Sequence, residues 1–464
     1  MKTLIKNCME VALCDETNRI LQDCDILLND NRIEKVGHSL PDHADTIVDG
    51  SGKVAIPGMV NTHHHLYQTL FRNIPKVQNV ELFDWLVNLY QGWRHITPEA
   101  VKNAAMTGLG ELLLTGCTLA SDHHYLFPSG YGEEIIHAEV EAARELGIRF
   151  YPTRGSMSRG VSKGGLPPDD VVQDEETILA RSADFIKRFH DPSPGAMLRG
   201  ALAPCSPFSV TTELLRESAT LARSLKVRLH THLCETKDEE DYCLSTVGMR
   251  PLDYMESVGW LGNDVWYAHG IWFNDEEIKR LGKTGTGVAH CPTSNLRLGS
   301  GICNVVDLRA AGAPVGLAVD GSASNDASDM LAEARLALLI HRIGPHGIKA
   351  TNTKMVLEMA TRGGARVLGW DDELGSIKPG YLADIALFDM HDISYAGGLH
   401  DPTAALVFCN SRSRAHTVFV NGKVVVKEGH LVNADEDAII EKQNALAKKI
   451  LERASADINL LEYQ

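Results

Sequence analysis

The sequence lacks any apolar run near the ~18 residues needed to cross a bilayer. With 44% hydrophobic and 23% charged residues it has an ordinary globular composition. Membrane-spanning and disordered classes are excluded. It also lacks cationic excess: 45 lysines and arginines against 61 aspartates and glutamates give a net charge of -16, which disfavours an electrostatic grip on nucleic acid or an anionic membrane surface. No nucleic-acid or membrane partner is expected. No C-x-x-C pair and no secretory signal accompany the ten cysteines, so we expect reduced thiols in a cytoplasmic protein and not a disulfide scaffold. A P-loop, a dinucleotide-binding G-x-G-x-x-G and a G-x-S-x-G nucleophile elbow are missing from any supporting context, so no nucleotide cofactor is implied. His137-Ala138-Glu139 matches the H-x-E of zinc cytidine deaminases, but Phe208 stands where the P-C-x-x-C partner motif, begun by Pro204-Cys205, needs its second cysteine. That match is chance.

What is present divides by texture. A chain of 464 residues suits one large domain and a smaller one. The first 58 residues alternate short β-like runs such as TLIKNC, DILLND and KVAIPG with turns, and residues 366–435 return to the same pattern in SIKPGYLADIALF and TVFVNGKVVVK, the latter with an Asn421-Gly422 hairpin signal. Isolated hairpins are marginal, so the two ends are predicted to meet in one β-sandwich domain, 1–58 plus 366–435. Between them, residues 59–365 alternate apolar strands with amphipathic helices. The strands are predicted over 118–122, 149–152, 200–204, 228–232, 265–269, 287–290 and 315–320, and a further one precedes His63. Eight strands alternating with helices predict an α/β fold, a (β/α)8 TIM barrel, as the catalytic domain. Residues 436–464 read as a charged amphipathic helix packed on the outside. No solenoid repeat or low-complexity segment interrupts this organisation.

Polar residues at the carboxyl ends of barrel strands are the ones expected to do chemistry. Those ends carry Asn61-Thr62-His63-His64-His65, His230-Thr231-His232 running into Glu235, Ala268-His269-Gly270, His290-Cys291-Pro292 and Val319-Asp320-Gly321. His63 and His65 are two apart, so on extended chain both imidazoles project to one side and can share a metal, with His64 pointing away. A single buried histidine is an ordinary core residue, and for His290 alone that reading stands level with a functional one. Several histidines and an aspartate at one barrel mouth, with no cation, would be a cluster of unpaired polar groups.

The pattern H-x-H, H-x-x-E, A-H-G and D-G-S resembles the amidohydrolase superfamily, in particular its aminohydrolase branch of guanine, cytosine and triazine deaminases. The resemblance covers nearly the whole chain. The stretches NTHHHLYQTLFRN, ELFDWL, LAPCSPFSV, HTHLCET and VDGSASND are similar to those of bacterial 8-oxoguanine deaminases. The resemblance implies one divalent metal ion held by His63, His65, His232 and Asp320, with zinc first and Fe2+ also compatible with the ligand set. A two-metal relative normally supplies a strand-end lysine, whereas Lys163, Lys187 and Lys226 lie off the predicted strand ends. It further implies hydrolytic deamination of 8-oxoguanine at C2 to urate and ammonia, a small-molecule heterocycle as the partner, and a homo-oligomer, dimer or larger.

Within that implied chemistry, Glu235 is placed to relay a proton from water to a ring nitrogen, Asp320 to carry a second proton to the departing ammonia, and His269 to hold or stabilise the attacking water. Asp238, Glu239, Glu240 and Asp241 are expected on a solvated helix face, and Glu235 itself has the alternative reading of a helix N-terminal acid. Expected substrate contacts are Gln68, Cys205, Trp93 and Arg154. Trp85, Tyr90 and Trp93 are a possible lid over a flat ring or else packing, and an inert buried thiol is the alternative for Cys205. Ser322 and Asn325 are expected to order the loop of Asp320. Guanine, isoxanthopterin or a hydroxyatrazine-type triazine would fit the same catalytic residues. A catalytically silent scaffold is disfavoured because His63, His65, His232, Glu235, His269 and Asp320 are all present.

Overall fold

Short apolar strands separated by helices build a parallel sheet covered on both faces, and here that sheet curls into a barrel. The computed structural model describes residues 1–41, 43–409 and 414–463. In it eight parallel strands pair in chain order: Met59–Asn61, Cys117–His124, Arg149–Ser156, Ala201–Pro204, Leu229–Leu233, Val265–His269, Gly287–His290 and Val315–Leu317. The first and eighth strands meet just past their ends. There the Thr62 amide donates to Leu317 O at 3.2 Å and the Asp320 amide donates to His63 O at 3.2 Å, leaving the barrel nearly closed.

The intervening helices begin where the sequence supplies acceptors for their free amides. Asp174 accepts from Thr177 N, Thr211 from Leu214 N, and Asn274 forms a reciprocal capping box with Glu277. The second strand runs two residues further than its apolar pattern indicates, through Asp122-His123-His124, and the third continues to Ser156. Both extensions carry polar side chains, which read as loop in the sequence. They stay in the strand because Leu119 to His124 pair residue by residue with Arg149 to Arg154.

Both ends of the chain contribute to a second sheet of nine strands. Its five N-terminal strands are Lys2–Ala12, Ile20–Asn29, Arg32–Gly37, Thr46–Asp49 and Lys53–Pro57, and its four later ones are Ile385–Asp389, Thr417–Val420, Lys423–Lys427 and His430–Leu431. The two sets join where Ile385 to Asp389 run antiparallel to Pro57 to Lys53. Most pairings are antiparallel, although Lys2–Ala12 lies parallel to both Thr46–Asp49 and Lys53–Pro57. The hairpin at Asn421-Gly422 has φ of 52° and 76°, the paired positive values that a two-residue turn of this hand requires. The buried Arg149 guanidinium, at the start of the third barrel strand, ties the barrel to this sheet through Asp384 at 3.0 Å.

The C-terminal helix Glu436–Ala454 packs on the helix Pro98–Leu114. Asn103 donates to Ile439 O and Gln443 Oε1, and Gln443 donates to Thr69 in the segment that follows His65. All ten cysteines are free thiols. Among the described residues no helix is long and apolar enough to cross a membrane.

Candidate active site

Beyond Asn61 the chain stays extended through His65 because both neighbours hold it: Asp320 N donates to His63 O, and His123 N donates to His64 O at 2.7 Å. His63 and His65 therefore face the barrel axis, while His64 turns outward to Ser328. Carbonyl oxygens only accept, so they fix the imidazole tautomers. His65 Nδ1 donates to His123 O at 2.8 Å, and His232 Nδ1 donates to Cys205 O at 2.6 Å. His230 Nδ1 donates to Trp266 O, which leaves its Nε2 to accept from His63 Nδ1 at 2.8 Å. Each of His63, His65 and His232 is left with a bare lone pair on Nε2.

Those lone pairs converge. His65 Nε2 lies 3.1 Å from His232 Nε2, and Asp320 Oδ1 lies 3.2 Å from His63 Nε2 and 3.3 Å from His65 Nε2. Acceptors gathered this closely repel unless a positive charge sits among them. Protons are poor candidates, because burial drives His63 well below the usual imidazole range and takes His232 down to about 3. Burial also opposes the charge on Asp320, yet the facing His63, His269 and His65 hold its carboxyl well below the usual range. His63 Nε2 is buried without a hydrogen-bond partner. A divalent cation fits this donor set of imidazole nitrogens and one carboxylate oxygen.

At this cluster the residues able to hold an ion form two overlapping groups, His63, His65, His123 and His232, and His63, His269 and Asp320, each with ligand atoms within 4.8 Å of one another. His123 is the member that sequence reasoning missed. Its Nε2 donates to Ala203 O, its Nδ1 is buried and unpartnered, and its ring stacks on His232. The D-H-H at the end of the second strand was the available signal.

Beside this cluster Glu235 is buried, and burial pushes its carboxyl up to about 7. Its Oε2 lies 3.4 Å from His269 Nε2, which is 4.0 Å from Asp320 Oδ2. Burial pulls against a charge on His269, but Glu235 and Asp320 outweigh it and hold its pKa above the ordinary value. Cys234, His269 and Asp320 all take left-handed backbone, with φ of 55°, 72° and 62°. Strain of roughly 1–3 kcal/mol at each such residue is characteristic of functional sites. Ser294 donates to Asp320 Oδ2 at 2.6 Å, which keeps Oδ1 turned toward the histidines.

A cavity opens onto this constellation. His65, His232, Glu235, His269 and Asp320 form its polar end, Gln68, Cys205 and Ser324 its sides, and Trp85, Tyr90, Tyr125 and Phe208 part of its aromatic wall. The Gln68 amide lies across the loop after Asp320, accepting from Ala323 N at 3.4 Å. Only glycine at 321 permits this, since a Cβ there would come within 1.9 Å of Gln68 Oε1. Burial pushes the Cys205 thiol up to about 12, so it faces the cavity as a neutral group. Among the described residues no lysine lines the cavity.

Two expected substrate contacts lie elsewhere. Arg154 is fully buried, paired with Glu133 at 2.8 Å, bonded to Gln173 and laid over the Phe127 ring. Its donors are consumed inside the protein. Trp93 packs edge-on against Tyr67, Trp85 and Tyr90 behind the cavity wall. His290 also stays outside the lining, with its Nε2 against His341 Nε2. Asn325 bonds Val319 O and Glu333, bracing the loop after Asp320, and Ser322 contacts Ser328 and Arg72. Of the charged run after Glu235, Asp238 and Asp241 are exposed and Glu240 pairs with Arg250, but Glu239 is buried, accepting from the amides of Cys234 and Glu235.

With this geometry established, likenesses to known proteins gain meaning. A family profile described as "Amidohydrolase family" matches residues 54–425. The chain is 52% identical over 403 residues to an 8-oxoguanine deaminase of Pseudomonas aeruginosa, covering 87% of this chain and 89% of that protein. It is 37% identical over 458 residues to an isoxanthopterin deaminase of an unknown prokaryotic organism, covering 93% and 94%. A crystal structure of an atrazine chlorohydrolase from Arthrobacter aurescens TC1, complexed with zinc, superposes with a TM-score of 0.92 at 35% identity, covering 96% of this chain and all of that one.

Proposed function

Because the chain belongs to the amidohydrolase family, we propose that it deaminates 8-oxoguanine: one water is consumed, the exocyclic amine at C2 leaves as ammonia, and urate is the product. The observation that carries the reaction class is the buried Glu235, with a carboxyl raised to about 7 and Oε2 3.4 Å from His269, beside the convergent imidazoles and Asp320. The choice of ring rests on the likeness to the Pseudomonas aeruginosa 8-oxoguanine deaminase.

His63, His65, His232 and Asp320 would hold one divalent cation, zinc in this reading, and such an ion lowers the pKa of water from ~15.7 toward ~7. Glu235 takes a proton from the attacking water at Oε2 and delivers it to the ring nitrogen beside C2, a transfer suited to a carboxyl poised near neutral pH. His269 Nε2, facing both Glu235 and Asp320, orients that water and balances the negative charge that develops on it. Asp320 carries the second proton to the departing amine while Ser294 keeps its carboxylate in plane. Gln68 can donate to and accept from the purine edge, and Trp85, Tyr90 and Phe208 cover the flat faces and exclude water.

The test is ammonia release by the zinc-loaded protein from 8-oxoguanine, guanine, isoxanthopterin and hydroxyatrazine, compared by kcat/KM. The expected result is the highest value for 8-oxoguanine, with urate formed in equal amount. A higher value for another ring moves the substrate and leaves the site chemistry intact. No release from any of them by metallated protein overturns the reading.

A further inference from the structure

We propose that Glu239 is a positioning residue: its carboxyl group clamps the backbone amides of Cys234 and Glu235 and so aims the Glu235 carboxyl. This rests on the role given to Glu235 above.

Glu239 is the third residue of the helix Lys237–Val247, whose N-cap is Thr236. A glutamate at that position ordinarily closes a capping box on the N–H of the N-cap residue itself, as Glu277 does on Asn274 in this same protein. Glu239 reaches further back. One oxygen accepts from Cys234 N at 2.8 Å and the other from Glu235 N at 3.4 Å, while the Thr236 side chain makes no cap bond. The carboxyl is 1% exposed, and among the described residues no lysine or arginine pairs with it. Burying a carboxyl without a cation is costly, so a cap alone is a poor account of it.

The clamped peptide is also an unusual one. Cys234 holds φ of 55°, and its N–H and that of Glu235 converge on one carboxyl group, the kind of concavity of successive N–H groups that receives acceptor oxygens. Glu239 supplies those oxygens from within the chain, its carboxyl pushed up to about 8 by burial. On the other side, the Cys234 carbonyl accepts from Ile271 N at 2.8 Å and Trp272 N at 3.0 Å, on the loop that follows His269. The peptide between the strand of His232 and Glu235 is thus held at its N–H groups by Glu239 and at its carbonyl by the loop of His269. Together they set the direction in which Glu235 leaves the backbone relative to His269.

The test compares Glu239→Gln and Glu239→Ala with the parent protein. Glutamine keeps an oxygen for Cys234 N but turns an NH2 toward Glu235 N; alanine removes both acceptors. The expected loss in kcat is about tenfold for Gln and about 100-fold for Ala, with KM within about threefold and metal content unchanged, the scale of a misaimed catalytic group. In a Glu235→Gln background, Glu239→Ala should cause no further loss of kcat. Amide hydrogen exchange at Cys234 and Glu235 should accelerate in Glu239→Ala and stay slow at Cys234 in Glu239→Gln. Wild-type kcat in Glu239→Ala, losses that multiply in the double variant, or unchanged exchange would each overturn the proposal. Should Glu239→Ala not fold, the Gln variant decides by the same readouts. Absence of wild-type turnover on every ring of the panel sinks the deaminase reading instead, and the exchange result still judges the clamp.

Discussion

His63 donates from Nδ1 to His230 Nε2 across 2.8 Å, and the carbonyl of Trp266 fixes His230 in the tautomer that can accept. His230 thus decides which nitrogen His63 offers to the cluster without entering it. Its ring also stacks on Trp266 at 4.4 Å, so His230→Phe keeps the packing and removes only the acceptor. Loss of such an orienting partner typically weakens metal binding about 10–100-fold. That is the expected shift in a zinc competition titration against a chelator, with folding retained. An unchanged affinity would mean that His63 is oriented by packing alone.

Asp320 and Glu235 lie in the same cavity but should separate cleanly. Asp320 Oδ1 is within 3.3 Å of both His63 and His65, so Asp320→Ala should lose the metal together with turnover. Glu235 is in contact with His269 and not with the histidine trio, so Glu235→Gln should bind a full equivalent of metal while kcat falls by about 10²–10⁴-fold, the range for one acid–base group. Metal analysis and steady-state kinetics on the same preparations check both. An active Glu235→Gln removes that residue from the proton path, and a metallated, active Asp320→Ala removes Asp320 from the ligand set.

The barrel strands were legible because each is a short apolar run between amphipathic helices, and the strand-end histidines, Glu235 and Asp320 were legible because barrel chemistry gathers at one face. What escaped was polar and buried. His123 lies beyond the apolar part of its strand, where Asp-His-His has the composition of a loop. Glu239 sits in a run of four acids whose composition says solvent. Its spacing from Cys243, one helical turn on and also buried, shows that a narrow inward face runs through the charged helix. Arg154 failed for the opposite reason. Alternation along a strand sends neighbours to opposite faces, and composition does not reveal that Arg154 takes the side where Glu133 and Phe127 wait.

Behind the second strand, Asp122, His124 and Glu139 form a sealed polar group outside the cavity lining. His124 Nε2 donates to Leu126 O, and its Nδ1 faces Glu139 Oε1 at 2.8 Å. Burial raises the Glu139 carboxyl to about 8 and Asp122 well above the usual range. A carboxyl whose pKa is raised by folding favours the folded state fully below its unfolded value, and that contribution is lost as pH rises through the folded value. The thermal midpoint should therefore fall between about pH 6 and 8, with a slope of at most about 1.4 kcal/mol per pH unit for each group, and level off above the folded value. Glu139→Gln mimics the protonated acid, its N–H donating to His124 Nδ1. Thermal denaturation across that range should show a flatter profile for the variant, and identical slopes would mean the group does not titrate there.

Gln68 and Gly321 make the sharpest pair for testing substrate recognition. The amide of Gln68 lies so close to the backbone at 321 that an added Cβ would sit 1.9 Å from Oε1, a distance no side chain tolerates. Gly321→Ala must therefore push the Gln68 amide off the loop, or the loop off Gln68. If Gln68 holds the purine edge, Gln68→Ala should raise KM well above its effect on kcat, and Gly321→Ala should do the same by displacement. The two losses should not add, because once Gln68 is alanine the three atoms nearest a methyl group at 321, all from the Gln68 amide, are gone. Steady-state kinetics on the two single variants and the double one distinguish this from a general distortion next to Asp320. Distortion would lower kcat and metal content in Gly321→Ala and would persist in the Gln68→Ala background.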